Sequence, residues 1–371
     1  MSNPDLICEV RTSGGTYRDW QSVQVEQNYM SEDWNRSFRL VCAEPSAVGN
    51  LRLKPGDRVD IALAGQVVIK AGFIRDRQAA YDANRHAVQI TGYGRAGLIT
   101  EASINGGTGQ YRGYKIDAIA NSVLKPYGLK FRVQNGPDGW ETPFTNVMVR
   151  MGETPFDLIS RLAKQRGLFF YADVDGNLVA GPKSDGGMVQ FIEGVNILAA
   201  NCQLRHLAVE GLIVDAQQSG SDSLFGKKAA EVRASSAVTG GAPGAVRTIL
   251  AEMPLNQREA QLRTDWEAAA LQSMALQLQI TYQGWLKPGV GGLWEPSDGV
   301  SVKSPMLFPT ESGTEELKVA GYSYMQDTNA GTITTVDLVN KLAWEQRKPN
   351  AKENDGFYDV TTAPAKAEAV T

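Results

Sequence analysis

The sequence predicts an α+β fold that is mainly β: two β-barrel-like domains with smaller α+β insert domains. Three observations carry this reading. Short strand-like segments separated by glycine turns fill the first hundred residues, as in sandwiches and barrels. Strand-like text returns after residue 186 and again from about 280. Segments with helical periodicity are confined to the stretches between and within those two β regions. A chain of 371 residues also exceeds the usual size of one compact core.

Leu6–Val10 opens the first region, and Gly14-Gly15 turns it. Ser22–Gln27 alternates apolar and polar residues, and Ser37–Cys42 is a further strand. Lys54-Pro55-Gly56-Asp57 is a turn, because proline presets φ and glycine accepts positive φ. Val59–Leu63 follows, with a tight Ala64-Gly65 turn into Gln66–Ile74, and His86–Tyr93 closes the region. Past Asn105-Gly106-Gly107 the period changes. Tyr114–Leu124 places Ile116, Ile119, Ala120, Val123 and Leu124 on one helical face, and Pro126 and Gly128 stop it. Leu129–Val133 is a strand. A second helix covers Pro155–Arg166, with Thr154 as N-cap, Pro155 at its first position and Gly167 just past its end. Phe169–Asp173 and Leu178–Ala180 form a hairpin around Asp175-Gly176-Asn177.

Leu204–Val214 reads as one or two strands. The stretch 218–250, rich in Ser, Gly and Ala, reads as a long loop that packs poorly in the free protein. Arg258–Gln279 is the longest helix candidate, with Leu262, Trp266, Ala269, Ala270 and Met274 as its apolar stripe, yielding to a strand where Leu276–Tyr282 alternates. Strands follow at Val300–Val302, Leu317–Tyr324 and Gly331–Val339. The expected domains are therefore 1–105, β-barrel-like; 106–185, α+β; 186–217 with 280–345, the second β-barrel-like domain; 218–279, a loop-plus-helix insert; and 346–371, a flexible tail.

A net charge of −4 gives no sign of a nucleic-acid-binding surface. Cys8, Cys42 and Cys202 form no C-x-x-C pair, which argues against a zinc or redox site and suits a reducing cytoplasm. The N-terminal segment lacks a signal-peptide pattern, and no apolar run is long enough to span a membrane.

Candidates for chemistry are sparse. A His-dependent hydrolase would have to use His86 or His206, either of which also reads as an ordinary surface residue. Gly92-Tyr93-Gly94-Arg95-Ala96-Gly97 matches the letters G-x-G-x-x-G, but no long helix follows directly, so a strand end with close chain approach is the plainer reading. Asp173, Asp175 and Asn177 alternate as in a calcium loop, without the acidic residue that such a loop supplies later. Glu252, Glu259, Asp265 and Glu267 leave open a muramidase-like acid pair, since separation in space is invisible in a sequence. Trp285 and Trp294, each beside turn residues, read as packing at barrel ends or as carbohydrate-stacking surfaces.

Four collinear blocks carry a resemblance. Leu53–Asp57 through Gly65–Ile74, Ile90–Ile99, Gly152–Leu168, and Gly284-Trp285-Leu286 followed by Gly292–Pro296 and Val300–Val302 resemble segments of the Mu-type phage baseplate hub proteins, a contractile-tail hub family. Tyr93–Gly97 departs from the family pattern in detail. The resemblance implies a structural protein of the virion's tail baseplate, made in the host cytoplasm. It implies a homotrimer whose two β-barrel-like tube domains form a pseudo-sixfold ring. That ring joins the tail tube, or a tube-initiator protein, to the central spike and contacts other baseplate proteins. DNA passes only transiently through the lumen, with no stable membrane insertion. No catalytic, cofactor-binding or metal residues carry over, so a non-enzymatic role is expected and no cofactor. A tail-associated peptidoglycan hydrolase and a receptor- or carbohydrate-binding module are the alternatives. Two similar β domains per chain let three chains present six equivalent units, the way a threefold spike meets a sixfold tube. A lumen that passes DNA is expected to be neutral or acidic, because a basic wall would hold phosphates.

Overall fold

The computed structural model describes residues 7–29, 34–43, 53–82, 86–105, 109–183, 187–218, 226, 231–308 and 313–341. The expected tail at 346–371 lies outside them. Strand residues make up 44% and helix 16%, so the fold is mainly β with α+β parts, as the sequence predicts.

The first region supplies β1 (Cys8–Thr12), β2 (Gly15–Tyr17), β3 (Ser22–Asn28), β4 (Ser37–Ala43), β5 (Arg58–Leu63), β6 (Gln66–Tyr81) and β7 (His86–Tyr93). Ala64 and Gly65 turn β5 into β6, both with positive φ, as a two-residue hairpin turn demands. Strand β6 is long because it serves two neighbours in turn. Its first half pairs with β5 and its second half with β7.

The middle region holds β8 (Gln110–Tyr111), β9 (Phe131–Val133), β10 (Val147–Met148), β11 (Phe170–Ala172) and β12 (Leu178–Ala180), with helices Ile116–Leu124 and Pro155–Gln165. All five apolar residues that the periodicity assigns to the first helix are buried. Thr154 caps the second by accepting from the Asp157 amide, Pro155 opens it, and Gly167 follows its end with φ 65°. The predicted hairpin is β11–β12.

The rest supplies β13 (Val189–Ile192), β14 (Ala199–Leu204), β15 (Gly211–Ala216), β16 (Val232–Ala237), β17 (Val246–Leu250), β18 (Leu276–Gln283), β19 (Gly299–Lys303), β20 (Thr314–Asp327) and β21 (Gly331–Asn340). One 13-stranded sheet runs β14-β18-β21-β20-β3-β4-β7-β6-β5-β1-β2, with β19 on β20 and β13 on β19. The two β regions therefore join edge to edge through β3 and β20. No pairing links the path ends β14 and β2 among the described residues. One apolar cluster extends under both regions, from Val10 and Ile61 to Trp294 and Tyr324.

Three expectations need correction. Much of the 218–250 stretch is a sheet rather than a loop: β15 pairs antiparallel with β16 and parallel with β17. Val232 and Ala234 are buried in alternation with exposed Arg233, so a period-2 pattern is present but is carried by residues too small to stand out by composition. In the same way β15, read as part of the second barrel-like domain, belongs to this small sheet. The helix Gln257–Ser273 packs on it through Ala260 and Ala268, and it also buries Arg263, Thr264 and Ala269. Of the expected stripe only Ala269 is buried, and Met274 is exposed. Small side chains face the sheet because helix and strands lie close together.

Candidate assembly surface

The candidates for chemistry find structural partners. His86 stacks on Tyr81 with ring centroids 5.7 Å apart, and His206 is exposed elsewhere. Gly92 sits in β7 where a Cβ would lie 2.1 Å from the Phe73 carbonyl oxygen, and at Gly97 it would meet the Tyr93 ring at 2.3 Å. These glycines serve close chain approach; only a three-residue 3₁₀ turn and the four-residue helix Leu98–Glu101 follow. Asp173 accepts from the Asn177 amide inside the hairpin, and Asp175 pairs with Lys70 at 2.7 Å. Glu259 completes the capping box with Asn256 and pairs with buried Arg166 at 2.8 Å. Glu267 and Glu252 pair with Arg263, and Asp265 accepts from Ser236 and Gln261. Trp285 and Trp294 are each 1% exposed, so neither offers a face for a sugar. The Trp294 indole donates to the Tyr282 hydroxyl at 2.7 Å.

What the sequence does not flag is a buried polar knot where three parts of the chain meet. Gln27 of β3 is fully buried. Its amide nitrogen donates to the carbonyls of Trp34 and Ala172, at 3.0 and 2.8 Å. Its oxygen accepts from Arg36 at 3.1 Å and from the Tyr322 hydroxyl at 2.9 Å. Arg36 also donates to the Val68 carbonyl. Burial pushes the Tyr322 hydroxyl up to about 12, so it stays a donor at neutral pH. Gln27 thus ties the first β region, the middle domain and the second β region together. Lys183 adds a second tie, pairing with Glu295 at 2.6 Å. Its amide also donates to the Ser297 hydroxyl.

The pairing pattern also exposes a repeat that letter matching does not. Ile74 of β6 exchanges backbone hydrogen bonds with Gly56 N and Asp57 O; Val319 of β20 does the same with Ser297 N and Asp298 O. The next residue is a β-bulge in both strands, Arg75 in one and Ala320 in the other. Beyond it Asp76 pairs with Thr91 of β7 as Gly321 pairs with Asp337 of β21. Strands β3-β4-β7-β6-β5 therefore correspond to β14-β18-β21-β20-β19, residue against residue except past Val59, where β5 and β6 carry register shifts that β19 and β20 lack.

The two copies differ at their edges. On β20, residues Gly321–Gln326 pair on one side with β21 and on the other with β3, from Asn28 back to Val23. On β6, the matching segment Asp76–Tyr81 pairs with β7 alone among the described residues. On β14, the counterpart of β3, β18 is the only described partner. Both segments are largely exposed, Tyr81 by 82%.

This repeated, edge-joined architecture has known relatives. Residues 7–94 match the family model for the N-terminal domain of Mu phage baseplate assembly protein GpP-like proteins. Residues 96–181 match the second domain of gp44-like baseplate hub proteins. By these two matches the N-terminal half of the chain is similar to the Mu-type phage baseplate hub proteins. Solved structures share the fold. A 43 kDa tail protein of prophage MuSo2 from Shewanella oneidensis aligns with a TM-score of 0.78 at 23% identity, over 91% of this chain and 100% of that one. A tail protein from Neisseria meningitidis aligns at 0.74 with 17% identity, over 91% and 97%. An Escherichia coli component of the type VI secretion system aligns at 0.57 with 10% identity, over 91% and 79%; it is described as structurally similar to the phage T4 tail proteins gp27 and gp5. No curated protein matches the sequence significantly. A phage baseplate hub protein is a component of the virion tail. Among the described residues no helix is long and apolar enough to cross a membrane.

Proposed function

We propose that the hub is a homotrimeric, pseudo-sixfold ring that joins the tail tube to the central spike and turns over no substrate. The observation that carries this is the internal repeat. One chain holds two copies of the same five-strand unit joined edge to edge, so three chains supply six units to a ring. A passive connector also agrees with the fate of Glu252, Glu259, Asp265 and Glu267, each engaged in a cap, an ion pair or a side-chain hydrogen bond. Relatives of this fold include a protein from the Francisella PdpA-VgrG complex, aligned at a TM-score of 0.54 and 8% identity. That likeness is of fold, and a spike partner for this chain is part of the proposal.

The face of the large sheet opposite the core suits a channel wall. Cross-strand neighbours on it include Asp76, Thr91, Arg39 and Gln24 in one row, and Ser37, Glu26, Ser323, Thr335 and Thr281 in the next. Asp337, Gln279 and Asn201 extend it. Asp76, Glu26 and Asp337 stand beside Arg39 and Arg205 on this face, so the surface is polar with little net charge. DNA would slide past it without the counterion release that makes a basic wall adhesive. The domain division 1–105, 106–185 and 186–217 with 280–345 is kept as a proposal except that β15 leaves the second tube domain, so that the small sheet β15–β17 and its helix form the decoration on it.

Native mass measurement of the purified protein, alone and with the spike protein of its own particle, tests this. Three chains, with a spike trimer bound beneath, is the expected result. A chain that stays monomeric both alone and in assembled tails, or cell-wall clearing lost on a single carboxylate substitution, overturns it.

A further inference from the structure

We propose that the ring closes by strand addition, with β14 of one copy pairing antiparallel to the second half of β6 of the next copy. The register sets Asp76 opposite Arg205, Ala79 opposite Cys202 and Tyr81 opposite Ala200. This rests on the ring reading above and specifies its interface.

The register follows from the repeat. Within the chain, β3 covers the edge of β20 with Gly321 opposite Asn28, Tyr324 opposite Val25 and Gln326 opposite Val23. The two bulges make Asp76, Ala79 and Tyr81 the counterparts of Gly321, Tyr324 and Gln326. Pairing of β3 with β4 and of β14 with β18 makes Ala200, Cys202 and Arg205 the counterparts of Val23, Val25 and Asn28. The same join, made between copies instead of within one, yields the stated pairs. It also places the His206 amide, in the position of Tyr29, against the Arg75 carbonyl, as the Tyr29 amide donates to Ala320 O at 3.2 Å.

Two features that the construction did not use agree with it. First, the only oppositely charged pair it brings face to face is Asp76 with Arg205, on a surface where chance offers like charges equally; such pairs stabilise a sheet. Second, the central parts of both edges are unguarded: Gln78-Ala79-Ala80 and Ala199-Ala200-Asn201-Cys202-Gln203 carry no charge and no proline, although edges of free sheets are normally blunted by such residues, and the charges Asp76, Arg77 and Arg205 stand together at one end of the pairing. Small side chains on both strands let the two backbones meet without clash.

Cysteine cross-linking reads the register. Cys202 is a free thiol, and the other two cysteines are buried. In an antiparallel pair, directly opposed residues have Cα atoms within the separation a disulfide needs. Mild oxidation of A79C in assembled tails and in concentrated purified protein is expected to give covalent dimers and trimers on a non-reducing gel, dependent on Cys202. A80C, one residue along and facing the other side, is expected to give none. Absence of the A79C link in assembled tails, or an equal link from A80C, overturns the pairing even if the native mass is three chains. A ladder that runs past three chains keeps the pairing and overturns the trimer. Asp76→Arg and Arg205→Asp are each expected to weaken self-association several-fold, and the double variant to restore it. Additive losses in the double variant count against Asp76 facing Arg205.

Discussion

The long strands β6 and β20 have one backbone course and two different surroundings. Each changes neighbour half-way, each carries its bulge at the same place, and each sends its second half along an outer edge. On β20 that edge is covered by β3 of the same chain, and its residues are adapted to burial: Gly321 lets Asn28 approach, while Tyr322 and Tyr324 fill the core. On β6 the counterparts are Asp76, Arg77 and Ala79, of which Asp76 and Ala79 are exposed. The interiors diverge in the same direction. Leu53 stands two residues before Pro55 and Trp294 two before Pro296, and both are buried. Cys42 of β4 matches Tyr282 of β18. Duplicate backbones thus tolerate large changes of side chain as long as hydrogen-bond pattern and bulge are kept. The unit with a permanent neighbour holds the larger aromatic core.

Exchanging residues between the two units breaks or sharpens that comparison. The largest effect is expected for Gln27→Leu, which gives β3 the residue its counterpart β14 has at Leu204. It removes four hydrogen bonds and strands the buried Arg36 guanidinium, at a cost of about 3 kcal/mol in urea unfolding. Leu204→Gln, half-buried against the core at an uncovered edge, is expected to cost less, about 1 kcal/mol. Next comes Gly321→Asp, which gives β20 the residue of β6. Its Cβ would lie 2.7 Å from that of Asn28, and its carboxylate would face Asp337, so a loss of roughly 2 kcal/mol is expected. Asp76→Gly is expected to be close to neutral until copies assemble. Trp294→Phe removes both ring volume and the bond to Tyr282, for about 2 kcal/mol in the same assay, together with a loss of buried-tryptophan fluorescence.

The smallest effect is on pH dependence. Burial raises the Glu295 carboxyl, but the hydrogen bond and charge of Lys183 outweigh it and hold the group below its ordinary value. A depressed carboxyl contributes stability above its unfolded value that is lost as pH falls through the folded one. Unfolding midpoints are therefore expected to drop as pH falls below about 4.5, and Glu295→Gln to flatten that fall. Glu315 opposes it, because burial raises its carboxyl and acid relieves the strain. A steeper fall in the Gln variant would sink this account of the Lys183–Glu295 tie.

Much of the element order was legible because it rests on local signals. The five-residue stripe of Ile116–Leu124, the Thr154 cap and the Asp175-Gly176-Asn177 turn each satisfy short-range rules, and each appears where expected. The strand β16 was missed for a local reason too, since alternation among Val, Ala and Ser scarcely differs from loop composition, and β17 is a mostly exposed edge strand with no burial alternation to read. The stripe of Gln257–Ser273 was misplaced because the helix sets its small residues Ala260 and Ala268 against a sheet that the sequence did not reveal.

By itself the sequence determined the mainly β class, the helices of the middle domain and the resemblance to baseplate hub proteins, since periodicity, caps and collinear motifs are written in neighbouring residues. Only the tertiary structure decided which strands share a sheet. The β3–β20 join, the four-bond knot at Gln27 and the matching bulges at Arg75 and Ala320 connect residues far apart in the chain. Hydrogen bonding between backbones leaves no mark on side-chain identity. A repeat preserved in backbone pairing alone can therefore be read from the fold and not from the letters.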